Sequence, residues 1–311
     1  MPQFKNILVY LNPASDKQPA LQRAAQLAQG NDAELHVLAV LEEPAPYAVL
    51  LTKKLHIEDR IESLHRAREA HLEALVAPLR AAGTRVSLHV TTGKPFLEII
   101  RAVLRHNHDL VVKTVEPERG RKTIFFGSTD MHLLRKCPGA LWLINPTALE
   151  RYRHILVAVA PETEEQEPFA LGSRLLRLGA SVARAEEARL FVVHAWTAFA
   201  EKTLRFHLAP SQFAQYVRES RQETQHKLRT FLSKAGEPIP SACVHLVKGE
   251  ASAVIPRFAK KHAVDLVVMG TVGRSGIPGL LIGNTAEKIL THLESSVLTL
   301  KPAAFVSPVS L

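Results

Sequence analysis

Residues 267–290 read VVMGTVGRSGIPGLLIGNTAEKIL: a short buried strand, a loop spaced by glycines, and the opening of a helix. Gly270, Gly273 and Gly283 let backbone N–H groups approach an anion with no Cβ in the way. Asn284-Thr285 starts a helix whose first N–H groups lack intrahelical acceptors, an arrangement that suits a phosphate. By itself the pattern fits a phosphate site or nothing more than a loop.

The surrounding chain decides the matter of fold. The strand leading into this loop, Asp265-Leu-Val-Val268, has a copy 156 residues earlier, Asp109-Leu-Val-Val112, and the same offset relates Gly249 to Gly93. A constant offset over that distance indicates a duplicated unit. The first strand, Asn6-Ile-Leu-Val-Tyr-Leu-Asn12, repeats as His154-Ile-Leu-Val-Ala-Val-Ala160, and each copy runs into a proline, Pro13 or Pro161. A helix follows each. Leu21, Ala24, Ala25 and Ala28 form the apolar stripe of the first, which Gly30 can end, and Leu171, Leu175, Leu178 and Val182 that of the second.

Second strands come next, Leu35–Val40 and Leu190–Ala195, rich in the apolar residues of buried parallel strands. Long charged helices then run from about Ile57 to Arg80 and from about Pro210 to Lys234, ending near Gly83 and Gly236. Leu64, Ala67, His71, Leu72, Leu75 and Leu79 are the expected buried edge of the earlier one. Third strands, Val86–Val90 and Val244–Val247, lead through Gly93 and Gly249 into helices carrying Ile99, Ile100 and Val103, or Val254, Ile255 and Phe258. Thr129-Asp-Met-His-Leu-Leu lies over Thr285-Ala-Glu-Lys-Ile-Leu, and fifth strands close each copy at Ala140–Ile144 and Ser296–Leu300. The boundary falls at Asn145–Arg151, giving domains of residues 1–147 and 148–311; Pro302–Leu311 has no period and stays unassigned.

Strands alternating with amphipathic helices imply an α/β fold, a parallel sheet with helices on both faces and right-handed crossovers. Such sheets bind ligands beyond the C-terminal strand ends, where the strand order reverses. The glycine loop leaves the end of strand four, so it lies at the expected ligand position if strand one is its neighbour.

Composition bounds the function. The chain has 311 residues, enough for two ordinary domains, and 46% hydrophobic with 22% charged residues is a globular balance. No apolar run reaches transmembrane length, and the N-terminus reads as a strand rather than a signal sequence, so no membrane insertion and no export are expected. Cys137 and Cys243 match no metal or disulfide spacing and read as buried free thiols of a reducing, cytoplasmic setting. The formal charge of +9 is scattered through helices that also carry acids, which favours a solvated basic surface over a nucleic-acid partner.

With these residues in hand, the sequence resembles the universal stress protein family. The strand-four loop of that family's nucleotide-binding members has the form Gly-x2-Gly-x9-Gly-(Ser/Thr); here Gly270, Gly273 and Gly283 match, with Asn284 in the last place. The resemblance spans both halves, and Thr129–Pro138 and Gly270–Leu290 look like its tandem, E-type branch. It implies two tandem flavodoxin-like (adenine nucleotide alpha hydrolase-like) domains, each with strand order 3-2-1-4-5. It also implies a cytoplasmic role in stress survival, ATP or ADP as a ligand of some members, no defined reaction, and fifth strands that pair, here within one chain as a pseudo-dimer. ATP-binding relatives carry Asp at the end of strand one; this chain has Asn12 and Ala160 there.

The halves differ at the loop. Offset by 156, Thr114 and Pro117 replace the first two glycines and Gly127-Ser128 the final pair. Pro117 has no N–H and Thr114 brings a branched Cβ, so the first half reads as a structural copy, its Glu116, Glu118, Arg119, Arg121 and Lys122 as a solvated loop. In the second half Gly270, Thr271, Gly273, Arg274, Gly283, Asn284 and Thr285 are the expected phosphate-binding residues. Asn284 is placed as N-cap in a capping box with Glu287. Val159, Ala160 and Val193 form an expected apolar wall, which leaves a phosphate-bearing ligand with an apolar body as an alternative to a nucleotide. Trp196–Ala200, Leu204, Phe206 and Leu208 read as core packing or helix capping ahead of a ligand wall.

No P-loop or nucleophile-elbow spacing occurs. His106 and His108 precede strand four, at the wrong end of the sheet for that site, and His132 and His292 share one helix position as satisfied or exposed side chains. Neither catalytic residues nor a metal site are expected. A small phosphate-bearing ligand in the second domain and an interaction module that binds no small molecule are the two leading functional readings, with nucleic-acid binding through the +9 charge a weaker third and a slow ATPase left open.

Overall fold

Aspartates at the head of strand four fix the centre of each sheet. The computed structural model describes residues 4–12, 18–41, 58–116, 126–161, 167–271 and 282–311. They fall into two compact units, the first reaching to Thr147 and including Val306–Leu311, the second Ala148–Phe305.

In the first unit, strands β1 (Asn6–Leu11), β2 (Glu34–Leu41), β3 (Val86–Thr92), β4 (Leu110–Thr114) and β5 (Ala140–Ile144) alternate with helices α1 (Pro19–Asn31), α2 (Glu58–Ala81), α3 (Pro95–His106) and α4 (Ser128–Lys136). All pairings are parallel, in the order β3-β2-β1-β4-β5. The strand order reverses between β1 and β4. There the Asp109 carboxylate accepts the N–H of Lys5 at 2.7 Å and of Asn6 at 3.3 Å, tying the start of β1 to the start of β4.

The second unit repeats the plan. Strands β6 (His154–Ala158), β7 (Arg189–Trp196), β8 (Val244–Lys248), β9 (Leu266–Gly270) and β10 (Ser296–Leu300) alternate with α5 (Glu167–Glu186), α6 (Glu201–His207), α7 (Pro210–Ala235), α8 (Ala251–Lys261) and α9 (Asn284–Leu290). Its order is β8-β7-β6-β9-β10, again parallel. Asp265 accepts the N–H of Arg153 at 2.7 Å and of His154 at 2.9 Å, the counterpart of the Asp109 clasp.

Central strands are buried on both faces, residue after residue, as a sheet covered on two sides requires. Leu21, Ala24, Ala25 and Ala28 bury the inner face of α1; Leu171, Leu175, Leu178 and Val182 do so for α5. Gly93 and Gly249 close the turns after β3 and β8 at φ of +148° and +136°, where a side chain would be strained.

Local expectations needed correction in several places. Helix α1 runs one residue past Gly30 and ends at Asp32 in the left-handed region. In α2, Leu72 and Val76 are buried, Leu75 and Leu79 are half-buried, and Ala67 and His71 are exposed; the Leu64 side chain lies outside the description. The segment after β7 contains the short helix α6, which the sequence reading did not separate from the loop. Of the two thiols expected to be buried, Cys137 is buried and Cys243 is half-buried. Among the described residues no helix is long and apolar enough to cross a membrane.

Candidate functional site

Strand β9 delivers Gly270 and Thr271 to the C-terminal edge of the second sheet, and Gly283 sets the start of α9 beside them. The Gly283 N–H donates to the Thr271 carbonyl at 2.8 Å, which brings the two ends of the glycine loop together. That bond commits the Gly283 donor to the protein. A Cβ on Gly270 would lie 3.3 Å from Leu171 Cδ2 and 3.7 Å from Leu175 Cδ1, so close packing of α5 is itself a reason for glycine there. Gly273 and Arg274 lie outside the described residues.

Asn284 is not the N-cap. Gly283, extended at φ −76° and ψ 141°, takes that place, and Asn284 is the first residue of the helix. Asn284 and Thr285 are exposed. Thr271 is fully buried, and its hydroxyl has no hydrogen-bond partner among the described residues. Leaving a buried hydroxyl unpaired costs about 1–3 kcal/mol.

Of the expected apolar wall, Ala160 alone is exposed. Val193 is wholly in the core, and Val159 is buried with its N–H on the Val193 carbonyl at 3.0 Å. Sequence reasoning missed His194. This buried side chain contacts the Val159 carbonyl through Nδ1 at 3.0 Å, and since a carbonyl only accepts, Nδ1 carries the proton. His194 thereby pins the end of β6; its only signal in the sequence is a polar letter inside the run Leu190–Ala195.

The corresponding place in the first unit is filled with charge. Lys113 on β4, 1% exposed, puts Nζ 3.0 Å from Asp130 Oδ1 and 3.0 Å from Glu116 Oε1, and donates to the Thr114 carbonyl at 2.9 Å. Asp130 is fully buried on α4, where its Oδ2 accepts the Gly127 N–H at 3.2 Å. Burial pushes the Asp130 carboxyl above its ordinary range, and the Lys113 ammonium pulls against that. Thr114 adds a further tie, its hydroxyl accepting the Ala20 N–H of α1 at 3.3 Å. At the repeat offset, Lys113 corresponds to Met269, Asp130 to Ala286 and Thr114 to Gly270. Pro117, Glu118, Arg119, Arg121 and Lys122 lie outside the described residues.

Of the other histidines that the sequence singles out, His106 and His108 lie at the opposite end of the first sheet, His132 on α4 and His292 just past α9. Buried His108 contacts Asn6 Oδ1 through Nδ1 at 2.6 Å; burial, with His36 and His106 alongside, lowers its pKa to about 4. The His132 ring stacks on Phe96 at 4.1 Å, and His292 donates to the Lys288 carbonyl at 2.7 Å. No group of three His, Cys, Asp or Glu with metal-binding geometry occurs among the described residues.

The model of the universal stress protein family matches residues 3–145 and again 151–301. The chain belongs to the universal stress protein family. It is 29% identical to universal stress protein E of Escherichia coli K12 over 315 aligned positions, covering 100% of this chain and 98% of the relative. The universal stress protein E homolog of Haemophilus influenzae is 30% identical over 307 positions, with 97% and 98% covered. A solved universal stress protein from Pseudomonas aeruginosa UCBPP-PA14 superposes with a TM-score of 0.74 at 26% identity, covering 96% of this chain and 94% of that one. Two family domains in tandem and likeness along the full length mark the chain as an E-type member. Membership of this family carries a role in the stress response.

Proposed function

We propose that the second unit binds ATP, ADP or another phosphate-bearing ligand, and that the chain acts in the cytoplasm as a binding protein rather than an enzyme. In this reading Gly270, Thr271, Gly273, Arg274, Gly283, Asn284 and Thr285 face the phosphates, and the first unit is structural. The observation that carries it is the Thr271 hydroxyl, buried and without a hydrogen-bond partner among the described residues, at the base of a loop with the family's glycine spacing. The equivalent place in the first unit is closed by Lys113 and Asp130, while the second unit has uncharged Met269 and Ala286 and leaves such a demand open.

Calorimetry of the full chain against ATP, ADP, AMP and nucleotide sugars tests this. Binding is expected at one site per chain, lost in Gly273→Asp and retained in Thr114→Ala. If no compound of the panel binds and Gly273→Asp leaves the unfolding midpoint unchanged, the reading fails.

Ala160 favours a second reading. It is exposed at the end of β6 with only a methyl side chain, where ATP-binding relatives carry a carboxylate. A ligand with a phosphate head and an apolar body suits that neighbour as well as a nucleoside does. Native mass spectrometry of the purified protein separates the cases by the mass of a co-purified ligand; protein that arrives empty and binds nothing is an interaction module. Pairing of the two fifth strands within one chain stays part of the proposal, to be tested by disulfide trapping of cysteines placed on β5 and β10.

A further inference from the structure

Phe199 and Phe206 are 87% and 86% exposed, an unusual position for two phenylalanines in one short segment. Phe199 stands in the turn that leads from β7 into α6, and Phe206 in the last turn of α6. The segment is built rather than slack. The Tyr216 hydroxyl of α7 donates to the Phe199 carbonyl at 2.6 Å. Ala200 takes the left-handed region at φ 50° to start α6, and Glu201 is held by Lys248 at 2.6 Å. Leu204 and Leu208 are half-buried.

Within the segment the charges left without an ion pair among the described residues have one sign. Residues 197–208 read TAFAEKTLRFHL; Glu201, the only acid, is paired with Lys248, which leaves Lys202 and Arg205 as exposed cations. Among the described residues neither makes an ion pair. Two phenylalanine rings can bury roughly 400 Å² between them, about half of the ~800 Å² that each partner contributes to a stable protein interface. A small pair of aromatic projections flanked by cations matches instead the interface of an anionic bilayer, where rings sit at the headgroup boundary and Lys and Arg meet lipid phosphates.

We propose that α6 and its leading turn form a peripheral docking element for anionic membrane surfaces, with Phe199 and Phe206 entering the headgroup region and Lys202 and Arg205 meeting the lipid anions. This is a contact with the surface and not a span, and it is independent of the ligand reading of the glycine loop.

Co-sedimentation of the full chain with vesicles of equal parts phosphatidylglycerol and phosphatidylcholine, and with phosphatidylcholine alone, is the test. The chain is expected to bind the anionic vesicles, to bind them less as salt rises, and to leave the neutral ones. Phe199→Ala with Phe206→Ala should weaken binding by about tenfold or more, and Lys202→Gln with Arg205→Gln should flatten the salt dependence. Both pairs are exposed, so their unfolding midpoints should stay at the wild-type value. Equal sedimentation with both vesicle types, or binding unchanged in the phenylalanine pair, overturns the proposal. So does a concentration-dependent dimer in light scattering that the phenylalanine pair abolishes while vesicles are ignored, since the occupant is then a second copy of the chain.

Discussion

Lys113 and Met269 hold the same place in the two units, at the penultimate residue of the fourth strand, and Asp130 and Ala286 hold the same place on the helix that follows. Around them the frames agree: an aspartate clasps the start of the first strand, a left-handed glycine closes the third-strand turn, and a glycine caps the last helix. The difference lies in what neutralises the base of the loop. In the first unit the protein supplies both the cation and the anion, and the space is spent. In the second both positions are uncharged, and the buried Thr271 hydroxyl has no hydrogen-bond partner among the described residues. Duplication has thus preserved the parts that set backbone geometry and let the side chains at the base of the strand-four loop diverge.

The strongest way to break this comparison is to convert one unit into the other. Lys113→Met alone leaves the Asp130 carboxylate fully buried without its cation, which is expected to cost about 3–5 kcal/mol. Adding Asp130→Ala gives the second unit's pair and should recover most of that loss, because a well-packed apolar pair often equals a buried ion pair. Urea unfolding followed at Trp142 reads it directly, since Trp142 is buried on β5 opposite Val112 of β4 and the only other tryptophan, Trp196, lies in the second unit. A double variant as unstable as the single one would show that the charges do more than balance each other.

The next effect is a difference in acid tolerance. His108 has its pKa lowered from 6.5 to about 4, by burial first and then by His36 and His106, and its place in the second unit is taken by Val264. The folded state keeps His108 neutral while the unfolded chain accepts a proton below 6.5. Its contribution is therefore complete above pH 6.5 and is lost as pH falls toward 4, by at most ~3 kcal/mol. His245 and His262 are also shifted down, chiefly by burial, but both are only half-buried and the second unit should respond less. With Trp196→Phe and Trp142→Phe proteins reporting one unit each, the Trp142 transition is expected to move further on acidification, and His108→Val should flatten it. Equal slopes from the two reporters would place the sensitivity elsewhere.

Much of this fold was legible because Val, Ile and Leu runs mark doubly covered strands and because a 156-residue offset recurs from end to end. The glycine spacing was legible for the same reason. Failures came where a pattern had no single packing partner. Among the described side chains of the 24-residue helix α2, Leu72 and Val76 are buried while Ala67 and His71 are exposed, so the periodicity through Ala67 and His71 carried no information about burial. Apolar letters in the Trp196–Leu208 segment suggested packing; Trp196 and Ala198 are buried, whereas Phe199 and Phe206 face water. The Lys113–Asp130 pair is tertiary, joining a strand to a helix across a loop, and neither residue is remarkable until its copy is seen to be Met or Ala. Asn284 was misplaced because a side chain well suited to capping loses the position to a glycine that the backbone already extends.

The smallest expected effects concern Thr114 and Gly270, the first positions of the two loops. Thr114→Ala removes an acceptor from the Ala20 N–H and should cost about 1 kcal/mol, as loss of a cap does, with Thr114→Ser retaining most of it. Gly270→Ala introduces a Cβ 3.3 Å from a leucine methyl that can shift by a few tenths of an ångström, so its cost should stay near or below ~1 kcal/mol. That variant separates two reasons for a glycine at one place. If close packing of α5 is the whole reason, stability falls slightly and affinity for the ligand found in the calorimetric panel is unchanged. If the backbone at Gly270 must also lie against a phosphate, affinity falls several-fold while the unfolding midpoint hardly moves. A Thr114 variant altering that affinity would contradict the assignment of binding to the second unit alone, because the first loop would then be coupled to a site it does not form.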